Sequence, residues 1–405
     1  MTRLRTVSAR RLTLIVAAAA ALALTAGIAR GALTGSGPTP APKALANALL
    51  DAFKAPEPKG VTAKIHFTND LLPSGSLPDG TASPLASGAD GRLWIQKGGD
   101  FRLELQSDIG DAQIVSKANK VTVYDASSNT VYRATLPAEA KDATKPADHG
   151  GKLTLDKVRK ALDRLARTWT LSGADPTSTA GRPTYTTKIS PKDDGGLLGA
   201  AQLAWDAVRG TPLRAAIYAQ GKTGPVLELT ATDVSYDAVP DSSVSITPPA
   251  DAKVVDLSPR DVSSAGKEHA RKARRGAEHA EVKGVDAVQR ELGFRLAAPA
   301  KLAGLPRREV RLVSIDGDRA ALTIYGDGFG AIGVLQHEAE RSEAGKGSGD
   351  EGALRLPEIN IDGATGSELA TALGTVVTFE RRGVAYIVAG SVPPVAAENA
   401  ARGLK

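Results

Sequence analysis

The chain has 405 residues, 24% of them charged and 4% aromatic, with a formal net charge of +6 and no cysteine. The missing cysteine excludes disulfides, thiolate metal sites, thiol nucleophiles and a lipidated cysteine. Arg3, Arg5, Arg10 and Arg11 supply four of the six net charges, so the body is close to neutral, and no basic, aromatic-interleaved face points to nucleic acid.

Behind those arginines, Leu12 to Ala29 runs without a charge. An arginine flank before an apolar run marks export, with the chain beyond Arg30 outside the cytoplasm. Two outcomes are open. One is an uncleaved anchor over residues 12–29 holding an extracytoplasmic protein on the cytoplasmic membrane; the other is a signal removed near residues 29–32. Residues 1–32 therefore form an export segment, followed by a Gly/Ser/Thr/Pro tether.

Pro42 opens a predicted helix with Leu45, Leu49, Ala52 and Phe53 on one stripe. Val61, Ala63, Ile65 and Phe67 alternate with polar residues as a first strand, His66 falling on the wet side, and Leu71 to Gly88 reads as a loop. Ala89 to Pro137 is a β-meander, because its strands are separated by turns too short for a crossover helix and must run antiparallel. Thr154 caps a second amphipathic helix to about Arg167, its Leu155, Val158, Leu162 and Leu165 opposite Lys157, Arg159, Lys160 and Arg164. Both helices are expected to lie on the sheet. Strands resume at Tyr185–Ile189, Gln202–Val208, Leu213–Ala219, Pro225–Tyr236 and Val244–Ile246.

Residues 40–255 thus form one α+β domain, an antiparallel sheet with helical covers. Residues 256–284 read as a charged linker without an apolar stripe, and residues 285–405 as a small C-terminal α+β domain. In that last domain a short helix near Val285 to Leu292 precedes strands at Val310–Ile315, Ala320–Tyr325 and Ala331–His337. A loop over Glu338 to Gly352 follows, then a hairpin about Arg381-Arg382-Gly383 and a helix from Pro394 to Leu404.

Catalytic and cofactor chemistry finds no support. Gly328-Phe329-Gly330-Ala331-Ile332-Gly333 matches the dinucleotide fingerprint in letters, but that motif works only between a parallel strand and a helix, and here a strand follows it. Ser264-Ala265-Gly266-Lys267 lies in the linker. No enzyme activity, cofactor or metal is expected. Alternation directs Phe101, Leu103, Leu105, Leu203, Trp205, Leu213, Ile217, Leu227 and Leu229 inward, opposite Leu45, Leu49, Leu155, Val158 and Leu162 of the helices. Such a lining either packs solid or leaves an aliphatic cavity fit for an acyl chain.

The order of elements, with GRLWIQKGGDFRLELQS and VTVYDASSNTVYRATLP, resembles the LolA-like superfamily of lipoprotein carriers over residues 42–250. Its most specific trace is Ala180-Gly181-Arg182-Pro183 before a strand, paired with Trp205-Asp206 and Thr211-Pro212-Leu213-Arg214. The resemblance implies an unclosed antiparallel β-barrel with a helical lid that binds an acyl lipid or lipoprotein without catalysis. Leu292-Gly293-Phe294-Arg295, YGDGFGAIGV and RRGVAYIVAGSVPP resemble the small C-terminal domain of RseB/MucB proteins, which implies an anti-sigma factor or another membrane protein as partner. The chain is also similar to sporulation-type LolA-like proteins, and together these resemblances imply, as the alternative, an envelope-stress or developmental signalling modulator.

Overall fold

The computed structural model describes residues 37–72, 84–108, 110–135, 153–192, 196–257, 282–315, 318–339 and 356–405. The export segment, most of the 71–88 loop, nearly all of the linker and the 338–352 loop lie outside them. Among the described residues no helix is long and apolar enough to cross a membrane.

Two sheets organise the chain. The first runs from β1 (Gly60–Asn69) through the meander β2 (Ala89–Gln96), β3 (Phe101–Ser107), β4 (Gly110–Lys117), β5 (Lys120–Asp125) and β6 (Thr130–Thr135). It continues with β7 (Trp169–Leu171), β8 (Asp175–Thr179), β9 (Arg182–Pro191), β10 (Leu198–Asp206), β11 (Pro212–Ala219), β12 (Leu227–Ser235) and β13 (Lys253–Leu257). Its order is β13-β6-β5-β4-β3-β2-β1-β12-β11-β10-β9-β7, with β8 also paired to β9. The sheet is curled but unclosed, a half-barrel, and the chain is mostly β. The meander fits the period-two reading, and Ala118 and Asn119 take positive φ in its β4–β5 turn.

Register fixes one continuous inner face. Val123, Ile114, Leu103, Leu93 and Ala63 stand opposite one another across β5, β4, β3, β2 and β1. A second row joins Phe67, Leu229, Ala215 and Leu203 across β1, β12, β11 and β10. Gly91 interrupts the side chains of this face for a steric reason: a Cβ there would lie 2.0 Å from the Glu104 carbonyl oxygen. The short helix α2 (Pro84–Ser87) packs against β1, β3 and β4 and adds Leu85 to the same apolar cluster.

The helices α1 (Leu45–Lys54) and α3 (Leu155–Leu165) form as expected, and the Thr154 hydroxyl accepts the Lys157 N–H. α1 is seated on the sheet as expected, and α3 is seated differently. Leu45, Leu49 and Ala52 of α1 pack on Tyr185, Leu203 and Trp205, whereas α3 packs against α1. Amphipathicity tells which face of a helix is buried, not what buries it. Phe53 is 61% exposed rather than on the buried stripe. Val244–Ile246 is not a strand either. Asp241–Val244 is a helical turn in a strap that crosses the outer side of β2–β4, held by Lys117 to Asp241 at 2.6 Å and by Arg102 to the Ser245 carbonyl. The strap ends in β13, which pairs in parallel with β6.

The second sheet comprises β14 (Lys301–Leu302), β15 (Leu305–Ile315), β16 (Asp318–Tyr325), β17 (Ile332–Glu338), β18 (Glu358–Ile361), β19 (Ala364–Thr371), β20 (Gly374–Arg381) and β21 (Val384–Gly390). Its order is β14-β15-β16-β17-β21-β20-β19-β18. The helices α4 (Val285–Glu291) and α5 (Pro394–Gly403) both pack on one face, over Val310 and Ala321 and over Tyr386 and Val388 respectively. Phe379 and Tyr386 stack there at 4.6 Å. Gln336, fully buried, binds both backbone groups of Ala297 at 2.8 and 2.9 Å. The glycine fingerprint falls on a turn at Gly328–Gly330 and on β17, which is antiparallel to both neighbours. No helix N-terminus follows those glycines.

Candidate functional site

An apolar hollow of about 50 Å³ opens on the inner face of the half-barrel. β1 supplies Val61, Ala63 and Ile65, β2 supplies Leu93 and Ile95, and β12 supplies Leu229 and Ala231. Thr211, Pro212 and Leu213 complete it from the start of β11 and the turn before it.

That turn is held by a buried carboxylate. Asp206, 2% exposed, accepts the Tyr236 hydroxyl at 2.7 Å and the backbone N–H groups of Val208 and Arg209 at 2.8 and 2.9 Å. Arg182 approaches the same carboxylate at 3.5 Å, and its guanidinium lies over the Tyr236 ring at 4.9 Å. Arg209 lies 5.6 Å from that ring. Burial, together with the hydrogen bond to Asp206, holds the Tyr236 phenol well above its usual range, so it stays a donor. Gly210, at φ +69°, backs onto the Ala52 carbonyl, where a Cβ would come within 2.3 Å. The turn therefore links the hollow directly to the end of α1.

Of the inward residues expected from alternation, Leu213 and Leu229 line the hollow. Phe101, Leu103, Leu105 and Leu227 belong to the apolar cluster around it. Leu203 and Trp205 lie in the neighbouring cluster with Leu45 and Leu49, and Ile217 faces Leu227 across β11 and β12. Val158 is buried while Leu155 and Leu162 are half-buried on α3. The expectation omitted Val61, Ala63, Ile65, Leu93 and Ile95 from the lining. Their alternation was visible in the sequence, but their place beside Leu229 depends on the pairing of β1 with β12.

The structure thus joins a curled half-barrel to a second α+β sheet unit. No protein-family model matches the chain, and no curated protein matches it in sequence. Among solved structures the chain is similar to the MucA/MucB complex of Pseudomonas aeruginosa, at 15% identity and a TM-score of 0.39, covering 88% of this chain and 95% of that one. It is also similar to a LolA superfamily protein of Nitrosomonas europaea, at 11% identity and a TM-score of 0.20, covering 50% of this chain and 98% of that one. A third is a lipoprotein-sorting protein domain of Vibrio parahaemolyticus, described as putative and outer-membrane, at 10% identity and a TM-score of 0.22, covering 50% and 95%.

Proposed function

We propose that the protein is an exported, non-enzymatic binding protein whose half-barrel takes the acyl chain of a lipid or lipoprotein. The observation that carries this reading is the apolar hollow, set beside the end of a lightly held helix. At about 50 Å³ it is well below the roughly 300–1,000 Å³ of a ligand pocket, so it is the closed form of the site and must open to admit a chain. The helices are suited to such an opening. Only Ala48 of α1 and only Val158 of α3 are fully buried, and segments with few buried contacts open at low cost. Lifting α1 would extend the hollow towards Leu203 and Trp205, making the two helices a lid. The test is uptake of a fluorescent fatty acid by the purified chain. The wild type should bind it, and Leu229→Trp should block uptake while leaving the unfolding midpoint within a few degrees; a wild type that binds no acyl probe ends the reading.

A second reading, a signalling modulator that contacts a membrane protein such as an anti-sigma factor, is favoured by the C-terminal sheet. Its two helices cover one face, while Leu322, Leu335 and Ile387 form a half-buried row on the other. Ile324, Ala389, Val376 and Leu369 form a second such row. A contiguous apolar face of this kind marks an interaction surface. A photo-crosslinker at Ile387 in the full chain should capture a single-pass membrane protein in the membrane fraction, and intact mass of the same sample should retain residues 12–29. Adducts only with soluble proteins, or none, would remove this reading; a chain beginning near Arg30 would remove the tether alone.

A further inference from the structure

Two arginines flank Tyr236, next to the turn whose Thr211 and Pro212 line the hollow, and they are more than that turn requires. Asp206 already accepts from Tyr236 and from two backbone N–H groups, and it pairs with the charge of Arg182 at 3.5 Å. Arg209 contributes to that network through its backbone, and among the described residues its exposed guanidinium meets the Tyr236 ring and no carboxylate. The next carboxylate along, Asp237, is engaged with the Ser235 hydroxyl at 2.7 Å. Arg209 thus presents a guanidinium that no carboxylate engages among the described residues, beside the Arg182–Asp206 pair.

Both arginines are tied to the hollow by separate parts of the chain. Arg209 precedes Thr211 and Pro212, which line it. Arg182 follows the β8–β9 turn, whose Ala180 packs against the apolar cluster of the inner face. We infer that the half-barrel selects a single-chain amphiphile with an anionic head, the chain in the hollow and the head held at the rim by Arg209 with Arg182. This rests on the acyl-binding reading and adds the chemistry of the head. A guanidinium forms charge-assisted, bidentate hydrogen bonds to a carboxylate or phosphate. A neutral head offers no such partner.

The experiment compares dodecanoate, dodecyl phosphate and dodecanol on the full chain, with acetate and inorganic phosphate as chainless anions. Both anionic amphiphiles should bind at least about tenfold tighter than dodecanol, a difference of about 1.4 kcal/mol, and added salt should narrow the gap. Arg209→Gln should lower dodecanoate affinity about tenfold and leave dodecanol unchanged; it keeps the backbone N–H that Asp206 accepts, so the unfolding midpoint should hold. Equal binding of dodecanoate and dodecanol to the wild type would overturn the head assignment and leave acyl binding standing. So would an unaffected Arg209→Gln. Displacement by acetate or phosphate alone would mean that the rim reads free anions, against the proposal. If none of the three dodecyl compounds binds, both readings fall together.

Discussion

Replacing Asp206 by Ala is expected to destabilise the half-barrel by about 1–3 kcal/mol, the cost of leaving a buried hydrogen-bonding group without its partner. The size follows from what is left behind. The Tyr236 hydroxyl and the N–H groups of Val208 and Arg209 lose their acceptor; water can reach the two N–H groups of these exposed residues, so the half-buried hydroxyl carries most of the cost. Arg182 adds less, because it is 41% exposed and water can solvate it. Asp206→Asn keeps a carbonyl acceptor and should lose clearly less. Urea unfolding followed by tryptophan fluorescence reads this directly, since Trp94, Trp169 and Trp205 are the chain's three tryptophans and all lie in the first sheet. A loss under about 1 kcal/mol would mean that the turn is held by its backbone alone.

The second large effect separates a hollow from a filled core. Leu105, 2% exposed and inside the apolar cluster, should cost about 2–5 kcal/mol on truncation to Ala, as core leucines do. Leu229 and Leu213 border space that is already empty. Their truncations lose fewer contacts and enlarge an existing cavity, so they should fall at or below about 2 kcal/mol. Full penalties at Leu229 and Leu213, measured by the same unfolding curves, would describe a solid core and weaken the case for an acyl site.

Local pattern made much of the half-barrel legible. Phe101, Leu103 and Leu105 announce β3 because a period of two has one structural meaning in a short run, and Thr154 announces α3 because a hydroxyl there satisfies an orphan N–H. What escaped depends on distant residues. β13 is five residues long and owes its existence to β6. Val244 looks like part of a strand, yet it is fully buried in a helical turn of the strap over the outer sheet face. β7 and β8 flank one long strand, β9, and carry little alternation of their own. The site shared this limit: Leu213 and Leu229 could be placed inward from their own strands, but Val61 and Ile95 join them only through the β1 pairing.

That pairing also governs the order in which the sheet can be completed. β1 leaves the ribosome before the other strands of its sheet, and it is a central one in the finished sheet. The meander can protect one of its edges at once through β2. Its other edge awaits β12, which brings Ala231 to Ile65 and Leu229 to Phe67 only after the rest of the half-barrel has been made. β13 then returns to cover β6, Lys253 opposite Thr130. Non-local closures of this kind slow folding, and an unpaired strand edge is open to wrong partners while it waits. The half-barrel is therefore a late-closing unit, whose first strand stays half-finished until nearly its last has emerged.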